Sequence, residues 1–263
     1  MSPEPTSLLP LVDWHVHATG HRASDNPHRD PRMTVDGIIE QCRRLNFSAV
    51  GIVEHVGPHF GHPVDDIVRV AEAFHRRVAD GFDRLSPQSH MKIYLGAEVD
   101  IDFAGALDIP SGLQRQLGLE YLIGSIHRLS PDAGTLSQAV EECFRRMSET
   151  VRGGEAAVIG HPWRNLSGTW GEPESDWDYD RVRASMQCEF AELLVRHGVA
   201  AEINPGSAGV SRTYRAFLAR LADAKVQLAP VSDAHDYQRL GGTRQLVETL
   251  AQTGFVVRQW WSP

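Results

Sequence analysis

Short motifs that combine histidine with aspartate or glutamate recur along the sequence. In chain order they are Asp13-x-His15-x-His17, Glu54-His55, Glu98, His127, His161-Pro162 and Asp233-x-His235. Each motif alone is weak evidence, because an isolated histidine is more often a hydrogen-bonded structural residue than a metal ligand. Together they offer imidazole nitrogens and carboxylate oxygens without a thiolate, a ligand set typical of zinc, manganese or iron. We therefore expect a site for divalent cations, provided that the fold brings the motifs together.

The elements that would position these motifs are alternating strands and helices, since short apolar segments alternate with longer amphipathic ones. The apolar segments predict seven strands, at 11–17, 49–55, 92–99, 120–127, 157–161, 199–204 and 227–233. The amphipathic segments predict helices at 35–45, 64–79, 137–151, 179–197, 214–224 and 242–252. This rhythm predicts the α/β class with a parallel barrel, as a single domain over residues 1–263. The apolar segment 255–261 is expected to be either an eighth edge element or a cap on the barrel bottom.

The histidine and carboxylate motifs fall at the ends of the predicted strands. In a parallel barrel these ends meet at one rim, where active sites are built. Burying Glu98 and Asp233 among imidazoles there is costly unless cations satisfy their lone pairs. Alternation places Asp13, His15 and His17 on one face of the first strand, with Asp13 expected to orient a ligand.

Composition and charge exclude several function classes. The formal net charge of −8 argues against attraction to nucleic acid or to an anionic membrane. No run of 18 apolar residues predicts a membrane span, and the first residues lack a signal peptide's features, so we expect a cytoplasmic protein. The three cysteines show no CxxC spacing and are interpreted as free thiols. The expected partner is a small molecule, and an oligomer is possible.

The order of the histidine and carboxylate motifs, from residue 13 to residue 235, resembles the PHP (polymerase and histidinol phosphatase) family. This resemblance implies a distorted (β/α)7 TIM-like barrel with two or three divalent metal ions. It implies that His15, His17, Glu98 and Asp233 hold a first ion, and that Glu98 bridges to a second ion completed by His127 and His161. A third ion would use His55, His235 and one further histidine, for which His21 is the first choice and His28 its rival.

Further roles follow from the same comparison and from position at the rim. Asp233, His235 and Glu98 are the expected catalytic residues. Glu54 stands where the family usually has aspartate, and alternation points it away from the metals, toward residues that support the ligands. The candidates for substrate binding are Arg128, Arg164, Arg212 and Asn204, with Arg239 as a further rim arginine, because rim guanidinium groups can hold phosphate by paired hydrogen bonds.

The function that the resemblance implies is hydrolysis of a small phosphate monoester of the histidinol phosphate kind, with a metal-bridging hydroxide as the nucleophile. The main alternative is an amidohydrolase or lactonase on a similar barrel. Many of those enzymes bridge their metals with a carbamylated lysine, whereas the only lysines here, Lys92 and Lys225, do not end a predicted strand. A PHP-type exonuclease is a third hypothesis, which the acidic balance disfavours, and a non-enzymatic metal-binding scaffold is a fourth.

Overall fold

The computed structural model describes residues 11–21, 30–57, 64–79, 91–130, 132–163, 179–204, 212–252, 257 and 259–263. The strands are β1 Val12–His17, β2 Ala49–Val53, β3 His55–Val56, β4 Lys92–Asp100, β5 Tyr121–Ser125, β6 Val158–Ile159, β7 Ala200–Ile203 and β8 Leu228–Pro230. The helices are α1 Val35–Arg44, α2 Asp65–Ala79, α3 Leu113–Leu117, α4 Leu136–Gly153, α5 Ala184–His197, α6 Arg212–Asp223 and α7 Gly242–Gln252, with short 3₁₀ turns at Thr19–His21 and Tyr179–Arg181.

The strands form one parallel sheet that curls into a barrel. Their order is β1-β2-β4-β5-β6-β7-β8, with β3 beside β4. The segment after β8 returns to β1, where the backbone N–H of Asp233 donates to the carbonyl of His15 at 2.9 Å and that of His17 donates to Ala234 at 3.0 Å. The predicted seven-stranded barrel is confirmed, with differences in detail. The second strand is interrupted at Glu54 into β2 and β3, and both β6 and β8 are shorter than predicted.

A bulge in β1 changes which residues face the barrel interior. Val12 and Asp13 pair with Ala49 and Val50, but the register shifts by one residue before Val16. Such a bulge adds one residue to a strand and re-aims the side chains next to it. The prediction that Asp13 shares the inner face with His15 and His17 is therefore wrong, because Asp13 pairs with a residue of the outer layer.

Two apolar layers hold the barrel together. The outer layer lies between strands and helices, and its largest members include Ile38, Leu95 and Phe217. The inner layer fills the barrel with side chains from the strands and from one residue near the C-terminus; it consists of Val12, Trp14, Ala49, Val53, Tyr121, Ile123, Val158, Ala200, Ala229, Val231 and Trp261. This packed interior resembles that of other α/β barrels and leaves the chemistry to the rim.

The Tyr121 side chain crosses the barrel interior from β5 to β1. Its hydroxyl donates to the carbonyl of Trp14 at 2.6 Å. Two glycines leave room for it, since a Cβ at Gly51 would lie 2.0 Å from the tyrosine oxygen and a Cβ at Gly96 would lie 2.6 Å from the ring. Glycine inside a strand commonly marks such a close approach.

The residues near the C-terminus both extend the sheet and cap the barrel, so the two interpretations of segment 255–261 combine. Leu228 donates to the carbonyl of Gln259 and accepts from the N–H of Trp261, each at 3.0 Å. The Trp261 ring packs edge-on against Trp14 and Tyr121, with ring centroids 5.8 and 5.3 Å away. Because Leu228 begins β8, the cap lies at the end of the barrel opposite the rim. No helix in the described part of the chain has the length and apolar character to cross a membrane.

The first prediction concerns this cap. Trp261→Ala removes a buried ring from the barrel bottom, so we expect the free energy of unfolding to fall by about 3–5 kcal/mol. Urea denaturation followed by circular dichroism measures the change. Val195→Ala, at a residue that is 46% exposed, is the control, and its free energy of unfolding should equal that of the wild type within error. Equal stability of the two variants would contradict a capping role.

Candidate metal centre

A buried glutamate from β4 lies at the centre of the histidine cluster. Glu98 is 1% exposed, and its two carboxylate oxygens face different sets of rings. Oε2 lies 2.8 Å from Nδ1 of His55, 3.3 Å from Nε2 of His17 and 3.4 Å from Nε2 of His15. Oε1 lies 3.0 Å from Nε2 of His161 and 3.2 Å from Nε2 of His127.

The histidines of β1 and the aspartate after β8 form a group beside Oε2 of Glu98. The Nε2 atoms of His15 and His17 are 2.9 Å apart. Oδ1 of Asp233 lies 3.3 Å from Nε2 of His17 and 3.8 Å from Nε2 of His15. These are the four residues expected at a first ion. They come from β1, from β4 and from the segment after β8 that closes the barrel against β1, which is called the seam below.

A second group lies nearer the solvent. The Nε2 atoms of His55 and His235 are 3.2 Å apart, and the His17 ring stacks on both, with centroids 4.2 and 4.0 Å away. His17, His55 and His235 therefore have ligand atoms within 4.8 Å of one another, as do His55, Glu98 and His127. His55 faces both neighbouring groups, which the motif order alone did not predict.

Three of the rings are oriented by an acceptor on the far side. Nδ1 of His15 lies 2.5 Å from Oε1 of Glu202, and Nδ1 of His127 lies 2.7 Å from Oδ1 of Asp100. A carboxylate on one ring nitrogen sets the tautomer and leaves the other nitrogen available as a ligand. In both rings that remaining nitrogen, Nε2, faces Glu98.

One further ring is oriented in the same way, since Nδ1 of His235 is 3.0 Å from the carbonyl of Asp233. Nδ1 of His17 lies 3.5 Å from Oε1 of Glu54, which is a charge contact rather than a hydrogen bond. Glu54 accepts from the backbone N–H of His55 at 3.0 Å. The side chain of Glu54 therefore lies behind His17, as alternation predicted.

Two carboxylates behind the rings add to the predicted site. Glu202 of β7 is buried, and its second oxygen accepts from the backbone N–H of His161 at 2.8 Å, so it joins the two halves of the cluster. Neither Glu202 nor Asp100 was among the candidate site residues predicted from the sequence. A signal for Asp100 was present, because it lies two residues beyond Glu98 on the same face of β4.

Backbone conformation directs two of the side chains. His161 and Asp233 both have positive φ, at 23° and 53°, although neither is glycine. Such conformations cost on the order of 1–3 kcal/mol each and persist where the surroundings impose them. Asp13 contributes at the seam, where its Oδ1 accepts from the N–H of Ser232 at 2.9 Å and from that of His15 at 3.3 Å.

The pKa values show that this cluster attracts positive charge. Burial works to raise the pKa of Glu98, but the imidazoles around it lower it well below its usual value. Burial works to lower the pKa of His17, yet Asp233, Glu54 and Glu98 raise it to about 10. A positive charge on the rings next to these carboxylates is therefore favoured.

The pKa values of the two rings nearer the solvent, His55 and His235, are shifted downward instead. Burial, followed by the charge of His17, lowers the pKa of His55 to about 3 and that of His235 to about 4. Neutral rings are the form in which histidine binds metal. Ring nitrogens that point at one another, beside anionic oxygens and without thiolates, fit divalent cations such as zinc, manganese or iron.

The remaining predicted residues lie apart from this cluster or outside the described residues. Arg128 is exposed, with its guanidinium 5.8 Å from the Phe103 ring. Arg212 is exposed at the start of α6, and Arg239 pairs with Asp236 at 3.1 Å. Asn204 is buried directly after β7, where its N–H donates to the Tyr214 hydroxyl at 3.2 Å. The residues outside the description are His28, Arg164 and the side chain of His21.

A family model, the PHP domain, matches residues 22–206. The chain belongs to the PHP domain family. The match includes Glu98, His127 and His161, whereas the β1 histidines and the seam residues Asp233 and His235 lie outside it and join the cluster through the fold. A comparison with curated proteins found no match.

One solved structure shares this barrel fold. A histidinol phosphate phosphatase from Lactococcus lactis subsp. lactis Il1403, complexed with zinc, L-histidinol and phosphate, has a TM-score of 0.60 at 15% identity, over 93% of this chain and 94% of that one. An archaeal fructose-1,6-bisphosphate aldolase (TM-score 0.40, 11% identity, 94% and 83% covered) and a Yersinia pestis dihydropteroate synthase (0.42, 15%, 93% and 94%) are more distant.

The second prediction concerns Glu202. In Glu202→Gln the side chain keeps its shape but can no longer accept from both His15 and the His161 N–H, so we expect zinc affinity to fall by about 10- to 100-fold. Titration calorimetry on metal-depleted protein measures it. Glu192→Gln, at an exposed residue of α5, is the matched control and should bind like the wild type. Unchanged affinity in Glu202→Gln would rule out the orienting role.

Proposed function

We propose that this PHP domain is a metal-dependent hydrolase of a small phosphate monoester. The observation that carries the proposal is the position of Glu98, a buried carboxylate whose two oxygens face separate sets of imidazole nitrogens. A carboxylate so placed is suited to bridge two cations. Hydrolases that act on phosphate esters use such paired cations.

The proposed ligand sets follow the groups described above. A first ion would be held by His15, His17, Glu98 and Asp233, and a second by Glu98 with His127 and His161. A third would be held by His55 and His235, with His21 as the proposed further ligand. The close contacts of His55 with both Glu98 and His235 support a continuous cluster rather than three isolated sites.

Two or three zinc, manganese or iron ions, when bound, would supply Lewis acidity toward the phosphoryl oxygens and an activated water. The side chains do the rest. The Asp233 carboxylate, which faces His17 at 3.3 Å, is the proposed acceptor for the proton of the attacking water. The side chain of His235 is 43% exposed, so it marks the open side from which substrate would reach the cluster.

A phosphorylated substrate suits the charges at this rim. The protein carries a net charge of −8, but bound cations would reverse the sign locally and attract a phosphate dianion. Arg128, which is exposed and directly follows His127, is proposed to contact the rest of the substrate; Arg164, Arg212 and Asn204 are the other proposed contacts. The structural similarity to a phosphatase that holds histidinol and phosphate makes a phosphorylated amino alcohol the first compound to test.

The third prediction tests this proposal. His15→Ala and Asp233→Ala each remove a proposed ligand of the first ion, so we expect phosphate release from histidinol phosphate to fall by at least about 10³-fold while the fold is retained. A phosphate assay and circular dichroism measure the two properties. His197→Ala, at the exposed end of α5, should keep wild-type turnover.

The same metal-loaded protein should be assayed with other phosphate monoesters, amides, lactones and single-stranded DNA. Turnover of amides or lactones without phosphate release would favour the amidohydrolase alternative. Cleavage of DNA alone would favour the exonuclease. Full activity of metal-depleted protein would refute metal dependence.

A further inference from the structure

An arginine is buried under the rim, on the helix that packs outside β5. Arg146 of α4 is 2% exposed, although its guanidinium carries a permanent charge. Its Nε donates to the carbonyl of Asp102 at 2.8 Å, its Nη1 donates to the carbonyl of Arg128 at 2.6 Å, and its Nη2 donates to the carbonyl of Ile101. Nη1 also lies 3.1 Å from the Glu142 carboxylate.

The carbonyls that Arg146 holds belong to two rim segments with a function in the proposed metal centre. Ile101 directly follows Asp100, and Arg128 directly follows His127. Oδ1 of Asp100 lies 2.7 Å from Nδ1 of His127, so one guanidinium spans the backbone just beyond both members of this pair. A planar group with several donors in a fixed geometry can set the relative position of two segments more exactly than a compact ammonium whose donors rotate freely.

Arg146 is part of a polar row on the inner face of α4. Residues four apart lie on the same face of a helix, and Glu142, Arg146 and Thr150 have this spacing. Glu142 accepts from the N–H of Ser130 at 3.0 Å, and the Thr150 hydroxyl donates to the carbonyl of Gly105 at 2.8 Å. The whole row therefore bonds the segments that follow β4 and β5.

A gain in stability alone does not explain why the charged Arg146 side chain is buried. A buried charged network is often no more stable than well-packed apolar side chains of the same size. An apolar residue at position 146 could fill the space, but it would leave three rim carbonyls without this donor and would let the two segments move independently. The hydrogen bonds of Arg146 are therefore suited to fixing the positions of the two rim segments.

We propose that Arg146 is a positioning residue for His127. By bonding the carbonyls beyond Asp100 and His127, it holds the Asp100–His127 pair in register, so that Nε2 of His127 faces Glu98 at 3.2 Å. This inference rests on the proposed function only in taking His127 and Glu98 as ligands of one cation.

The fourth prediction concerns two variants of this residue. Arg146→Lys keeps the charge but cannot span both segments, and Arg146→Met keeps the apolar stem alone. We expect both to lose about tenfold in Co²⁺ affinity at one site while the remaining sites fill normally, as is typical when a residue that supports a ligand is removed. Titration calorimetry and the cobalt absorption spectrum report this without substrate. Arg152→Met, on the exposed face of the same helix and paired with Glu149, should match the wild type.

A double-mutant cycle separates positioning from general stability. If Arg146 acts through His127, Arg146→Lys should not weaken Co²⁺ binding further in a His127→Ala background, because coupled residues are non-additive. Additive losses would overturn the proposal, and so would a lower melting temperature with unchanged Co²⁺ affinity. If Arg146→Met fails to fold, Arg146→Lys alone decides the outcome. Absence of Co²⁺ binding by the wild type would instead refute the proposed function.

Discussion

A carboxylate removed from water lies at the centre of the barrel mouth, and the arrangement around it follows from the need to compensate its charge. Moving such an ion into a protein interior costs several kcal/mol unless opposite charge or hydrogen-bond donors surround it. Five imidazoles surround Glu98, from β1, β3 and the ends of β5 and β6. Only a fold whose strand ends converge can gather rings from so many segments around one side chain.

The rings in turn depend on groups farther out. Glu202 and Asp100 hold the outer nitrogens of His15 and His127, so that the inner nitrogens face the centre, and Glu54 lies 3.5 Å behind His17. Beyond them, the Asp13 carboxylate accepts a hydrogen bond from the backbone of Ser232, and the Arg146 guanidinium donates one to the carbonyl of Arg128. These hydrogen bonds hold the segments that carry the inner groups. Each of these sets of side chains restricts the motion of the set nearer the centre. The ring nitrogens are therefore held a few ångströms apart.

Much of this arrangement was predictable from sequence because it is periodic. Seven apolar segments, six of which end in or beside a histidine or a carboxylate, identify both the barrel and its rim, and the motif order resembles the family that the model of residues 22–206 confirms. Features that break the period were not predictable. The bulge that turns Asp13 outward and the positive φ at His161 and Asp233 depend on neighbouring strands distant in sequence. Asp100 was missed because the predicted strand ended at residue 99, although Asp100 lies two residues beyond Glu98 on the same face of β4.

The seam between β1 and the end of β8 has a consequence for the order of assembly. Asp13 and Ser232, which meet there, are 219 residues apart in the chain, and contacts between such distant segments form late because closing a long loop costs entropy. During synthesis, His15 and His17 leave the ribosome long before Asp233 exists. The β1 histidines therefore meet Asp233 only after nearly the whole chain has been made, so the histidine and carboxylate cluster is complete only once β8 has joined the barrel.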